Sequence, residues 1–460
     1  MDEFERLRPV GILEKLFAVR HPMKYYLNVA IAVNYTIPST FTLPLNEYVY
    51  KTVETLIDRH PALSAIPLGE DTEEPYFVRL PEIDLAQPVS FQKRVQRFPY
   101  PDENDAELES FLQTQHKTGF TAPEPFWRLI ILTDDADDRH FTAVFVYHHG
   151  IGDGTSGKAF HRTFLQALRG TESLKQGEAK QLIASPKTPL LPSLEEAHQL
   201  RLSTIYLIKV LLKEFFCSKN DPKVWAGAVF QAPTTTQLRT LVLPAAQTSA
   251  IIKSCRENKT TVTCALQTAI ARSVFMHIPD KYTRLIFSGA MSSRSWLKQK
   301  MTDDDMGVWI QEYAETYTRK ALTKSAPFPW SEARRARQTI IKEQNLRSRD
   351  TSIGLLKFVK NFRTDLLESK IGQPRTCVAE VSNLGVLKTE NPGVDSIPQM
   401  GRVIFSQSAS ITGSAIQFSA MTGADGCLSI GASWQTGVVE EELTQAVLET
   451  LKKELVSLCG

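Results

Sequence analysis

HHGIGDG, at residues 148–154, is the segment from which the architecture and chemistry of this chain can be inferred. The apolar run from His140 to His149 leads into it and predicts a β-strand, and the glycines that follow predict a tight turn. An imidazole at the strand end therefore lies one short loop away from the carboxylate of Asp153. Histidine titrates near neutral pH, so this arrangement is typical of a site for general-base chemistry.

The predicted strand is apolar on both of its faces, which indicates a central position in its sheet. Adjacent strand residues point to opposite faces, so His148 and His149 cannot line one cavity together. We expect one of them to face a channel and the other to pack. The same divergence argues against a metal site, because metal ligands must converge on one ion. We therefore expect no metal here.

On the sequence alone, Asp153 has two alternative roles. Its carboxylate either orients the imidazole, as in a catalytic triad, or pairs with an arginine and stiffens the loop. Gly150 and Gly152 are expected to allow positive φ angles and close backbone approach. The simplest non-functional alternative is that both histidines are core residues. Three glycines within five residues stabilise a fold poorly, which favours a functional site.

A second motif overlaps the first one. Residues 152–157, GDGTSG, match the glycine-rich fingerprint of dinucleotide-binding folds, and Glu172 follows at a suitable distance. That fold needs another strand ending at the acidic residue, whereas residues 171–180 are polar. A nicotinamide-dependent oxidoreductase is therefore the weakest of the functions considered.

Composition narrows the class of protein. The chain has 460 residues, 42% of them hydrophobic, with a net charge of +2. This length suits two domains, and the charge balance argues against a dedicated nucleic-acid binder. The first eight residues lack the apolar core of a signal peptide, and no run of about 18 apolar residues occurs, so we expect a cytoplasmic protein without a transmembrane segment. Scattered cysteines predict reduced thiols instead of disulfides or a zinc site: Cys217, Cys255, Cys264, Cys377, Cys427 and Cys459.

Strand and helix signals predict an α/β (α+β) protein of two halves. The first half, residues 1–170, carries the histidine motif. Residues 171–225 are polar at first and predict a linker followed by a crossover helix from about Leu194 to Phe216. The second half, residues 226–460, is dense in strands near its end, with a hairpin turn at residues 424–426.

The motif resembles that of the condensation-domain and chloramphenicol-acetyltransferase-like superfamily, and the chain is most similar to the fungal alcohol acetyltransferase family within it. Plant-type BAHD acyltransferases carry a D-F-G-W-G segment that this chain lacks. The similarity extends to five further segments: Arg8–Phe17, Arg59–Leu63, Trp127–Leu129, Ser382–Gly385 and Phe405–Gln407. It implies two acetyltransferase-like subdomains, each a mixed sheet flanked by helices, with a tunnel between them.

The resemblance also implies a mechanism. His149 would take the proton from an acceptor hydroxyl, which attacks an acyl thioester directly without an acyl-enzyme. His148 and Gly154 would have structural roles at the active site, His148 by packing against its neighbours. Asp153 would pair with an arginine of the second half, expected to be Arg294. Four residues would bind the donor through hydrogen bonds: Ser382, Asn383, Ser406 and Gln407.

The function expected on this basis is transfer of an acetyl or short acyl group from acyl-CoA to a simple alcohol or a secondary metabolite. Acyl-CoA would act as co-substrate, with no tightly bound cofactor, and the protein would be a monomer. One alternative is a donor carried by an acyl carrier protein. Another is a non-catalytic binding module, against which the intact His149 and Asp153 argue.

Overall fold

A computed structural model describes residues 4–100, 103–134, 138–216, 221–233, 235–323, 327–390 and 393–459. Its strands are β1 Glu5–Pro9, β2 Val29–Thr36, β3 Ala65–Leu68, β4 Tyr76–Arg79, β5 Glu82–Asp84, β6 Val89–Lys93, β7 Trp127–Thr133, β8 His140–Tyr147, β9 Leu182–Ala184, β10 Thr236–Leu243, β11 Arg284–Ser292, β12 Ile310–Thr318, β13 Ala379–Val386, β14 Gln399–Gln407, β15 Ile416–Thr422 and β16 Leu428–Gln435.

The α-helices are α1 Ile12–Arg20, α2 Leu45–Arg59, α3 Ala106–Gln115, α4 Gly154–Arg169, α5 Leu194–Ala197, α6 Thr204–Phe216, α7 Ala245–Glu257, α8 Val262–His277, α9 Arg319–Thr323, α10 Trp330–Leu346, α11 Ser352–Leu355 and α12 Glu441–Val456. Shorter helical turns of 3₁₀ or π type span Pro61–Ser64, Arg294–Trp296, Leu356–Phe358, Phe362–Leu367, Glu368–Lys370 and Ser457–Cys459. The mixed α/β class predicted from the sequence is confirmed.

The first sheet has the strand order β14-β2-β8-β7-β6, so β8 is central. Every residue of β8 from Phe141 to Tyr147 is buried. On one face Phe145 packs with α2 and α4, and on the other Val144 and Val146 pack against α3. Covering both faces with apolar side chains is what the continuous apolar run required.

The second sheet has the order β10-β16-β15-β13-β11-β12 and two faces of different character. Its apolar face packs against α8 and α12 through large side chains such as Phe287, Val381 and Phe418. The opposite face carries small polar and acidic side chains, which alternate with the apolar ones: Ser288, Glu312, Glu380, Ser382, Gln417 and Ser419. This polar face turns toward the first half of the protein, because β14 lies across β15 and β16.

One late strand belongs to the first sheet. Residues 399–407 form β14, which pairs antiparallel with β2, with Phe405 opposite Ile31. The two halves are therefore interlocked by an exchanged strand, which the boundaries expected from the sequence did not include. Alternation of apolar residues marks a strand but does not tell which sheet the strand joins.

The segment between the halves runs along the first half and starts no sheet of its own. Its strand β9 pairs with β5, through Ile183 opposite Ile83. The single helix expected from Leu194 to Phe216 is two helices, because the chain is extended at His198 and continues without helix to Ser203. The described cysteines are free thiols, and Cys217 lies outside the described residues. In the described ranges no helix has both the length and the hydropathy of a membrane span.

Candidate active site

His149 lies just beyond the end of β8, at the junction of the two halves. Its ring stacks on Phe17 of α1, with centroids 3.6 Å apart and planes inclined by 3°. The ring of Tyr26 approaches it from another side, at 5.6 Å between centroids. Only 7% of His149 is exposed. Two aromatic contacts therefore fix the imidazole in one orientation.

The surroundings of His149 keep its ring neutral. Burial is the main cause that lowers the pKa of His149, to about 4, and the positive charge of Arg20 acts in the same direction. Nδ1 of His149 is buried and has no hydrogen-bond partner among the described residues. This leaves Nε2 as the atom that can reach a substrate. A neutral imidazole with one free nitrogen can accept a proton at neutral pH.

His148 points away from His149 into a cluster with His21 and Glu70. The carboxylate of Glu70 lies 2.9 Å from Nδ1 of His21 and 3.1 Å from Nε2 of His148. The other nitrogen of each ring accepts a backbone N–H: Nε2 of His21 from Phe120, and Nδ1 of His148 from Gly150. The nitrogens facing Glu70 must then carry the protons, so that Nδ1 of His21 donates to the carboxylate and Nε2 of His148 makes a close polar contact with it.

These three residues are close enough to hold a metal ion, since their ligand atoms lie within 4.8 Å of one another. The hydrogen bonds do not fit that role. A metal would need a lone pair on the nitrogens that face Glu70, while the opposite nitrogens already use theirs for backbone N–H groups. The cluster of His21, Glu70 and His148 is better explained as a hydrogen-bonded contact that fixes the end of β8 against α1.

Asp153 forms an ion pair with Arg294 of the second half. The guanidinium donates to both carboxylate oxygens, over 2.7 Å to Oδ2 and 3.0 Å to Oδ1. The backbone N–H of Trp309 also donates to Oδ2 and that of Ser156 to Oδ1. Burial opposes ionisation, but Arg294 and these hydrogen bonds outweigh it and lower the pKa of Asp153. With both oxygens engaged, the carboxylate joins the two halves and also caps α4.

The glycines of the motif are required for close packing. A Cβ on Gly154 would lie 2.6 Å from Leu384 of β13, and one on Gly152 would lie 2.7 Å from Cβ of Ser156. Neither these two nor Gly150 has a positive φ, so the expectation of left-handed backbone here was wrong. Leu384 of the second half fills the space beside Gly154, and Ser156 in the first turn of α4 fills the space beside Gly152.

Helix α1 brings Phe17 to the imidazole because both of its ends are anchored. At the start, Arg8 donates two hydrogen bonds to Glu14, whose Oε2 also accepts the N–H of Gly11. Glu195, from the segment between the halves, accepts the N–H of Ile12 over 2.7 Å. At the other end, His21 is held by Glu70. The Arg8–Phe17 segment therefore builds one wall of the site.

The four residues expected to bind the donor have different hydrogen-bond partners. Gln407 links the halves, accepting from the Tyr26 hydroxyl at 2.9 Å and donating to Ser419 at 3.0 Å. The Ser382 hydroxyl donates to Glu380 on the polar face of the second sheet.

The other two have partners elsewhere. The Ser406 hydroxyl is paired with Nε2 of His116 at 2.8 Å, and Asn383 donates to Thr263 near the start of α8. Of the four, Gln407 therefore bonds to a residue that contacts His149, namely Tyr26, whereas the hydrogen bonds of Ser382, Ser406 and Asn383 go to other residues.

Three residues of the site had no signal in the sequence: Phe17, Tyr26 and Glu70. The first belongs to a segment that was noted only for its resemblance, and its contact with His149 depends on the anchoring of α1. A lone aromatic or acidic residue far along the chain carries no local pattern that links it to the motif.

A cavity of about 110 Å³ lies beside the motif loop, between the two halves. Gly150 and Ile151 line it from the first half, and Met306 and Gly307 from the second. His149 does not line it, so this cavity by itself does not provide the path to the imidazole.

Sequence comparison identifies similar proteins over nearly the whole chain. The family model described as "Alcohol acetyltransferase" matches residues 9–288. "Probable alcohol acetyltransferase crmB" of Aspergillus fumigatus is 32% identical over 96% of this chain and 98% of its own. "Probable alcohol acetyltransferase FCK4" of Fusarium pseudograminearum is 24% identical over 98% of this chain and 95% of its own.

Solved structures with the same fold include TRI3 trichothecene 15-O-acetyltransferase from Fusarium sporotrichioides. It has a TM-score of 0.74 at 15% identity, covering 98% of this chain and 95% of that one. The first condensation domain of the calcium-dependent antibiotic synthetase, in complex with a substrate analogue, has a TM-score of 0.64 at 12% identity, covering 99% and 96%. At these identities the likeness establishes the fold, with its two subdomains.

Proposed function

Because this chain belongs to the alcohol acetyltransferase family, and is therefore an acyltransferase that acts on an alcohol, we propose that it takes the acyl group from acyl-CoA and uses His149 as the general base. The observation that carries the proposal is the neutral imidazole of His149, stacked on Phe17 with Nε2 unengaged at the junction of the halves. Acyl-CoA acts as co-substrate, no cofactor is tightly bound, and the protein acts as a monomer.

The reaction proceeds in two steps. Nε2 of His149 takes the proton of the acceptor hydroxyl while the oxygen attacks the thioester carbonyl, which gives a tetrahedral oxyanion. The carbon–sulfur bond then breaks, and the thiolate takes the proton back from the imidazolium. The products are the ester and free CoA thiol. Burial, which lowers the pKa of His149, makes the imidazolium short-lived and favours the return of the proton.

The neighbouring residues support this base without exchanging protons. Phe17 and Tyr26 fix the plane of the ring, and the cluster of His21, Glu70 and His148 holds the end of β8. Asp153 and Arg294 keep the two halves in register across the site. Gln407, which bonds to Tyr26 beside the imidazole, is the donor-binding candidate that these contacts support best.

A donor carried by an acyl carrier protein is the second candidate.

We expect CoA to protect the protein against thermal unfolding. A ligand that binds only the folded state adds about 2.7 kcal/mol at about 100 times its dissociation constant. The measurement is a thermal unfolding curve with CoA, with adenosine as control. Protection that requires an acylated carrier protein, with none from CoA, would favour the second donor.

A further inference from the structure

Helix α6, Thr204–Phe216, is an apolar helix whose outer side the described parts of the protein leave uncovered. Seven of the nine residues from 204 to 212 are aliphatic or aromatic, and none of these nine residues is buried. Four side chains are more than half exposed: Ile205 at 67%, Ile208 at 51%, Leu211 at 56% and Leu212 at 51%. A helix that is apolar around most of its circumference is normally covered by a core or by lipid.

The exposed side chains of α6 form one continuous stripe. Ile205, Ile208 and Leu212 are spaced as residues on one helix face are, and Leu211 lies beside them. Lys209 is also exposed, one turn after Ile205, and borders the stripe. The remaining apolar residues of this part of the helix are half-buried and mark the side that is turned to the protein: Tyr206, Leu207 and Val210.

The start of α6 is held by a strained turn of the second half. Arg347, Ser348 and Asp350 have φ angles of 48°, 61° and 55°, a left-handed conformation that is costly for residues other than glycine. The carboxylate of Asp350 accepts the N–H of Ser203 over 2.6 Å and its hydroxyl over 2.9 Å. The N–H of Asp350 donates to the carbonyl of Arg201. The helix is therefore attached at a defined place through the residues before its first turn.

Basic side chains are concentrated at this attachment point. Arg201, Arg347 and Arg349 are exposed. The acidic residue of the turn, Asp350, is engaged by Ser203 and lies 3.6 Å from Nε of Arg349. An outward apolar stripe bordered by lysine and arginine is typical of helices that lie in the headgroup region of a membrane. Basic residues close to an anionic lipid surface strengthen such binding.

A second copy of the chain fits the stripe less well than lipid does. Four half-exposed aliphatic side chains offer a few hundred Å² of apolar surface, whereas a stable interface covers about 800 Å² on each partner. A second copy would also carry the same positive charges at the start of its own α6. An anionic phospholipid surface attracts these charges and needs no matching shape.

We propose that α6 binds the protein to an anionic phospholipid surface. Its exposed aliphatic side chains enter the boundary between headgroups and acyl chains, and the basic residues at its start contact lipid phosphates. The helix has 13 residues. It is therefore about 20 Å long and too short to cross the hydrocarbon core of about 30 Å, so the protein stays at the membrane surface. This inference does not depend on the acyl-transfer reaction.

The test is co-flotation of the full chain with vesicles of phosphatidylcholine, alone or mixed with phosphatidylserine. Wild type should bind the mixed vesicles more tightly, and high salt should remove the difference. The double variant Ile208→Gln/Leu212→Gln should bind mixed vesicles about tenfold or more weakly, because it removes two side chains that enter lipid while glutamine keeps the helix. The matched control is Met276→Gln/Val456→Gln, which changes exposed apolar residues of α8 and α12 and should bind as wild type.

Lys209→Gln tests the contribution of charge. It should weaken binding to mixed vesicles by about fivefold and leave binding to phosphatidylcholine unchanged. All variants should unfold at the wild-type temperature, because the changed side chains are exposed. Three results overturn the proposal: no binding of wild type to mixed vesicles, an α6 double variant that binds as well as its control, or a dimer in solution that the α6 double variant dissociates. The last result would assign the stripe to a second copy.

Discussion

Replacing His149 with alanine should lower kcat/KM for acyl transfer by about 10²–10⁴-fold, the usual contribution of a positioned general base. The alanine variant lacks the Nε2 that accepts the hydroxyl proton, while Phe17 and Tyr26 still form the walls of the site. The measurement is thiol release from acetyl-CoA with an accepted alcohol, together with a thermal unfolding curve that shows the variant to be folded.

His277→Ala is the matched control, since His277 is an exposed histidine at the end of α8, bonded to Thr450. It should transfer at the wild-type rate. If His149→Ala releases thiol as fast as this control, His149 is not the base.

Arg294→Met should destabilise the protein by about 3–5 kcal/mol, because it leaves the carboxylate of Asp153 buried without its cation. Arg294 and Asp153 side chains are 3% and 1% exposed, so water cannot replace the lost partner. The folded pKa of Asp153 is lowered, so the pair contributes fully above the ordinary pKa of an aspartate. Its contribution is lost as the pH falls through the folded value.

Urea unfolding at neutral pH measures this loss of stability. Arg97→Met is the control, since Arg97 pairs with Glu103 at the surface, and an exposed pair of this kind contributes about 0–1 kcal/mol. A loss for Arg294→Met no larger than that for Arg97→Met would mean that the pair does not hold the halves together.

Local patterns were sufficient to predict the central strand and the position of the histidine motif. The apolar run of β8 required burial on both faces, and the structure confirms it. The divergence of His148 and His149 also follows from local geometry, although β8 ends at Tyr147, just before them. The structure pairs Asp153 with Arg294, as the family resemblance implied, whereas the residues alone left this open.

Contacts across the chain could not be predicted in this way. The stack of Phe17 on His149 depends on the anchoring of α1 by Glu14, Glu195 and Glu70, which lie far apart in sequence. The exchange of β14 into the first sheet is equally non-local, because its apolar pattern suits either sheet.

The central claim is that the acyl group passes directly from the thioester to the alcohol at His149. Its most direct test follows the fate of acetyl-CoA labelled in the acetyl group, mixed with wild-type protein with and without an accepted alcohol. We predict label in the ester in the same amount as free thiol when alcohol is present, and no label on the protein in either case. Labelled protein, or thiol released at the same rate without alcohol, would contradict direct transfer.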